Sequence, residues 1–304
     1  MTDAPSSPRP SVFTVPMSTR DPAPIPTPLP TTTSQKPSTP SFALPKLRLE
    51  IRDLNHDGTQ GFLIAVVASK ALLTAVQSVL SLLYKSPTEH TTTVPGTRSV
   101  TLVLRSMEGV AYTTGSELDS DHKEIHFSLD YIHKSVAPAL LAHEIMGVLT
   151  HEMVHCYQYN ALGTCPGGLI EGIADWVRLN SGLSPPHWKR EGTGKWDAGY
   201  QHTGYFLDYL EKRYGEGLVR KLNEKLRIER YKEKHFWTEL CGRPVEQLWC
   251  DYRQKLEEES KKTEEEECLF VDRYDATASG ALASQAPTST TESGEIADVS
   301  AGVV

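Results

Sequence analysis

Apolar positions change their period along the chain, and those changes divide it into elements. Leu47, Leu49 and Ile51 alternate with Arg48, Glu50 and Arg52, the two-residue period of a strand with one buried face. Asn55, His56, Asp57 and Gly58 read as a turn. The apolar run that follows predicts one long helix over 62–84, packed on a sheet. Further strands are predicted over 100–104, 110–113 and 124–128. In the last, Ile125 and Phe127 share one face and His126 takes the other. The period then becomes helical. A helix is expected over 138–160 and another over 168–180, parted by Gly163, Pro166, Gly167 and Gly168. Pro185, Pro186, Trp188 and Trp196 mark an irregular crossing. Helices follow over 200–213, 216–228, 233–241 and 244–260, punctuated by Gly215, Gly242 and Pro244. Sheet first and helices afterwards make an α+β chain, with a small N-terminal mixed sheet and a mainly helical C-terminal half.

Composition sets the limits of the folded part. Residues 1–43 are rich in Pro, Ser and Thr and cannot repay the entropy of ordering, so a disordered tail is expected there. A single domain is expected over 44–260, followed by an acidic and then Ala/Ser/Thr-rich disordered tail over 261–304. A net charge of −8 argues against a nucleic-acid surface. A membrane span over the apolar 62–84 run is rejected because Lys70 and Gln77 interrupt it. Five cysteines form no zinc knuckle or redox pair. Two local disulfides, Cys156 with Cys165 and Cys241 with Cys250, suit an oxidising compartment, and free thiols suit a reducing one. No signal peptide is visible, so a cytoplasmic chain is expected. No heptad run argues for a coiled-coil dimer, and oligomeric state stays open.

The chemistry is concentrated in two helices. His151, Glu152 and His155 fit H-E-x-x-H, which on a helix puts both imidazoles on one face toward one ion. Zn²⁺ needs a third protein ligand and an open position for water. Glu171, opening the next helix after a short loop, is the expected third ligand. Asp175, one turn on, would accept the free ring N–H of a ligating histidine. The reverse assignment of Glu171 and Asp175 stands open. Glu152 is placed to act as general base. Gln158 and Leu162 sit near the places where a metzincin would carry its glycine and third histidine, so that pattern is excluded. His143-Glu144 has Gly147 where a second histidine would be needed, and is rejected as a ligand pair.

The runs 147–160 and 166–178, with Val110, Tyr112, Ile125, Phe127, Gly199, Tyr200, Phe206, Tyr209, Leu248 and Tyr252, resemble the plant basic secretory protein family. The resemblance extends over about residues 47–252. It implies a zincin-like fold and a zinc-dependent peptidase acting on a peptide or protein substrate, held between an upper sheet and a lower helical part. The strand over 124–128 would then be an edge to which an extended peptide adds. It also implies a catalytic role for Tyr200 as a donor to the oxyanion, against the plainer role of a core tyrosine. His202 is a second candidate, one that does not match the family's pattern. The family name implies a basic, secreted protein; this acidic chain departs from the first attribute, and secretion remains an alternative to the cytoplasm. Other functions compatible with the same residues are a non-catalytic peptide- or wall-binding module and a hydrolase of another amide or ester.

Overall fold

The structure is a computed structural model that describes residues 41–134 and 137–282. Of the tails expected over 1–43 and 261–304, residues 1–40 and 283–304 lie outside the described residues. The first strand, β1 (Lys46–Ile51), pairs in parallel with β2 (Ser99–Arg105), which pairs in parallel with β4 (His122–Ser128). The short β3 (Ala111–Gly115) runs antiparallel to β4, so the order is β1-β2-β4-β3 and the sheet is mixed. Two expectations change here. The strand over 124–128 is interior, flanked by β2 and β3, and the free antiparallel edge belongs to β3. β1 is the opposite edge, and its apolar face is only partly covered, with Leu49 38% exposed.

The expected single helix over 62–84 is two: α1 (Asp57–Ala65) and α2 (Ala68–Tyr84), bent by 67°. Val66 and Val67 adopt extended conformations at the break, which suits their branched side chains. The turn ends earlier than its composition suggests. Asp57 and Gly58 already belong to α1, because His56 Nδ1 accepts the Gly58 N–H at 3.0 Å and caps the helix. No single helix among the described residues is long and apolar enough to cross a membrane. On α2, Leu72, Val76, Val79, Leu80 and Leu83 form a fully buried stripe, as do Val100, Leu102 and Leu104 of β2 and Ile125 and Phe127 of β4.

After α3 (Leu129–Lys134) and a 3₁₀ turn at Pro138–Leu140, α4 (Leu141–His155) packs against α2, β3 and α5 (Gly167–Asn180). It ends five residues before the expected boundary. Beyond a turn at Cys156 and Tyr157, Ala161 and Leu162 have φ of 54° and 56°, backbone outside any right-handed helix. The end of α4 is held by buried polar contacts: Tyr84 Oη donates to the Tyr157 carbonyl at 2.5 Å and accepts from Asn223 at 3.1 Å. Helices α6 (Tyr200–Tyr214), α7 (Leu218–Ile228), α8 (Glu233–Cys241) and α9 (Val245–Leu282) follow. Their joint core is aromatic. Trp196 meets Trp237 edge-on at 5.4 Å, and Phe206 meets Trp249 edge-on at 5.1 Å. Helix α9 continues past residue 260 into the segment that its composition assigned to a tail. Cys156, Cys165, Cys241 and Cys250 are free thiols.

Helix α6 and the loop before it press closely on α5. Gly168 and Gly172 stand four apart on one face of α5, and a Cβ on Gly172 would lie 2.3 Å from Thr203 Cγ2. Gly172→Val should therefore force α6 outward, lowering stability by about 1–3 kcal/mol in urea denaturation. A variant as stable as the parent would mean that these helices are not pressed together there.

Candidate active site

Helices α4 and α5 lie antiparallel, and their facing side chains meet in order. Near the end of α4, Gln158 Nε2 reaches the Ile170 carbonyl at 3.3 Å. One step along, His151 Nδ1 is 2.6 Å from Asp175 Oδ1, and His151 Nε2 is 3.0 Å from Glu171 Oε2. At the far end the Arg178 guanidinium donates to Glu144 at 2.8 Å. Val154, Ile173, Ala174 and Val177 wall this seam and are fully buried, and Asp175 is 2% exposed.

Three donor atoms converge on one point. His155 Nε2 lies 3.2 Å from His151 Nε2 and 3.7 Å from Glu171 Oε2, and the third separation is the 3.0 Å already given. A small four-coordinate ion bonding at about 2.1 Å would space its ligands about 3.4 Å apart. The trio therefore fits a metal ion without moving an element. The structure puts Glu171 at that point and Asp175 on the outer nitrogen of His151.

Glu152 faces the sheet. The Thr113 hydroxyl lies 2.7 Å from its Oε2 and 2.9 Å from its carbonyl oxygen, which ties the general-base candidate to the free edge strand. Tyr200 is 58% exposed, so it is no core tyrosine, and its ring stacks on His151 at 6.2 Å with planes 15° apart. It is held there by backbone that most residues avoid, φ 48° at Tyr200 and 89° at Gly199. All these groups line one cleft of about 970 Å³, together with Gly109, Ala111 and Tyr112 of the upper rim. Three other histidines are engaged elsewhere. His202 is bonded to the Lys195 carbonyl and His143 to the Ser184 carbonyl, while His126 stacks on Tyr112 at 4.6 Å.

Sequence pattern alone gives no role to Thr113, to Gln158 or to the Glu144–Arg178 pair. Helical spacing holds a signal for that pair. Glu144 is seven residues before His151 and Arg178 seven after Glu171, two turns along the same faces. A Cβ on Gly147 would sit 2.6 Å from the Arg178 guanidinium, so the rejected His143-Glu144-Gly147 run serves this ion pair. Thr113 lies 39 residues before Glu152 in the chain and carries no such signal.

Burial alone would lower the pKa of His151, but the Asp175 and Glu171 carboxylates outweigh it and push it up to about 9. For His155, burial and then the charge on His151 lower it to about 4. Burial raises Glu152 against the opposing pull of His151 and Thr113. Burial would raise Glu171 too, but its bond to His151 and the nearby His155 hold it below the usual carboxylate value. The charge of Glu171, then burial, raises Tyr200.

A family model described as BSP, peptidase of plants and bacteria, matches residues 44–252, a span that contains every residue of this cluster. No curated protein and no solved structure matches the chain.

The two imidazoles give the metal-free protein a two-sided pH response. His151 titrates above its ordinary 6.5 in the fold, so its contribution is complete below pH 6.5 and is lost as pH rises through about 9. His155 titrates below 6.5, so its contribution is present above pH 6.5 and is lost as pH falls through about 4. Urea denaturation of chelator-treated protein should show the contribution of this pair greatest near pH 6.5. A His151→Ala, His155→Ala double variant with an unchanged pH profile would contradict this assignment.

Proposed function

The chain belongs to the basic secretory protein (BSP) family, peptidases of plants and bacteria, and from that premise we propose that it is a zinc-dependent peptidase of zincin-like fold. The observation that carries this reading is the convergence of His151 Nε2, His155 Nε2 and Glu171 Oε2 on one point beside a buried glutamate. Two imidazoles and a carboxylate form a donor set suited to Zn²⁺. When bound there, zinc would acidify the attacking water and polarise the scissile carbonyl.

The chain's own residues supply the rest. Glu152 takes a proton from the attacking water and returns it to the leaving nitrogen, a shuttle that its raised pKa favours. Thr113 fixes one carboxylate oxygen of Glu152 and leaves the other to face the water. Tyr200 donates its hydroxyl to the developing oxyanion from the lower rim. Asp175 orients His151 and keeps its outer nitrogen protonated.

The upper rim supports a peptide substrate. Ser128 N–H donates to the Val110 carbonyl and Ser116 N–H to the His122 carbonyl. Antiparallel alternation then turns the N–H and C=O of Val110, Tyr112 and Thr114 toward β4, and those of Ala111, Thr113 and Gly115 toward the free edge. An extended peptide pairing there would lie beside Glu152, because Thr113 holds both the strand and the base. A non-catalytic binding module would have no use for a buried carboxylate held in this way.

Glu152→Gln should retain zinc and lose about 10²–10⁴-fold in rate on a mixed peptide library. Tyr200→Phe should lower kcat about 10²–10³-fold with little change in KM. Wild-type protein that carries zinc but cleaves no peptide would sink the peptidase reading, and a Glu152→Gln enzyme at full rate would remove the base.

A further inference from the structure

Gln158 stands three residues beyond His155 and lines the same cleft. Its amide nitrogen is 3.2 Å from His155 Nδ1 and 3.3 Å from the Ile170 carbonyl. Its amide oxygen is buried with no partner among the described residues. In this arrangement His155 Nδ1 accepts, so the imidazole carries its proton on Nε2. That nitrogen is the one turned toward His151 and Glu171.

A histidine that ligates through Nε2 must present that nitrogen bare and carry its proton on Nδ1. The Nδ1–H then needs an acceptor, and an amide nitrogen cannot be one. A half-turn about the last side-chain bond of Gln158 exchanges its nitrogen and oxygen. The orphaned oxygen then receives the Nδ1–H. The Ile170 carbonyl loses a long contact but, inside α5, keeps its helical bond from the amide of Ala174.

We propose that Gln158 is the positioning residue of His155: its amide turns over as a metal binds and holds His155 in the Nδ1–H tautomer that ligation requires. The proposal rests on the metal site proposed above. It makes the two histidines unlike each other. His151 is served by a buried carboxylate at 2.6 Å and His155 by a neutral amide that has two settings.

The test uses the full chain stripped of metal, with Zn²⁺ as the probe. Zinc affinity is measured by competition with a chromogenic chelator, and the His155 tautomer by ¹⁵N NMR. Gln158→Leu should bind zinc about 10–100-fold more weakly than wild type. Gln158→Glu keeps an acceptor but cannot donate to Ile170, and should restore affinity to at least the wild-type level. The zinc-loaded wild type should show His155 protonated at Nδ1. If the amide merely ties α4 to α5 through Ile170, Glu should be as poor as Leu, and that result would overturn the proposal. So would a Gln158→Leu protein that binds zinc as tightly as wild type. Should Gln158→Leu fail to fold, the Glu variant and the wild-type NMR spectrum still decide. Wild-type protein that takes up no zinc would fail differently, removing the metal site itself and this proposal with it.

Discussion

Between α4 and α5 the chain takes Glu152, Asp175 and His151 out of water, with His155 and Glu171 partly buried beside them. Removing charges from water costs several kcal/mol each unless the charges are matched. The same seam shows what matching looks like, because Glu144 and Arg178 neutralise each other two turns away and Tyr131 satisfies the remaining carboxylate oxygen at 3.0 Å. The central cluster has no such balance. Three carboxylates face a single protonated imidazole, His151, since His155 is driven neutral. A divalent cation at the meeting point of the two Nε2 atoms and Glu171 Oε2 would supply the missing positive charge. That electrostatic deficit gives the motif its physical meaning beyond its spelling.

The surrounding fold serves to hold that seam and open it on one side. The glycines of α5 let α6 come close enough for Tyr200 to stand over His151. The same approach leaves Tyr200 and Gly199 in left-handed backbone, a strain that the α5–α6 contact must carry. On the opposite rim, β3 is short, antiparallel and free along one edge, and Thr113 joins that edge to Glu152. The free strand edge and Glu152 are thus one connected unit. The aromatic core of Trp196, Phe206, Trp237 and Trp249 lies behind α6 and fixes it from the far side.

Much of this is legible in the sequence, for reasons that can be named. Helical spacing is strict enough to put His151 and His155, and then Glu171 and Asp175, on shared faces from their positions in the chain alone. Long amphipathic helices such as α6 and α7 carry their period plainly. What sequence pattern misses depends on partners. The order of strands is set by tertiary pairing, so nothing local in Glu124–Ile125–His126 says that β3 covers its edge. The break at Val66 and Val67 lies inside an apolar run with no Gly or Pro to mark it. The end of α4 at His155 comes where no Gly or Pro marks it, the next glycine being Gly163. Gln158 is visible at helical spacing from His155, but its importance emerges only with the orphaned amide oxygen.

Every role assigned to these residues depends on whether the seam holds a metal, so the most direct measurement is elemental mass spectrometry on purified wild-type protein and on Glu171→Ala. The expected result is about one zinc per wild-type chain and a large loss in the variant, with both proteins folded. A folded wild-type chain that stays metal-free when offered zinc would contradict it.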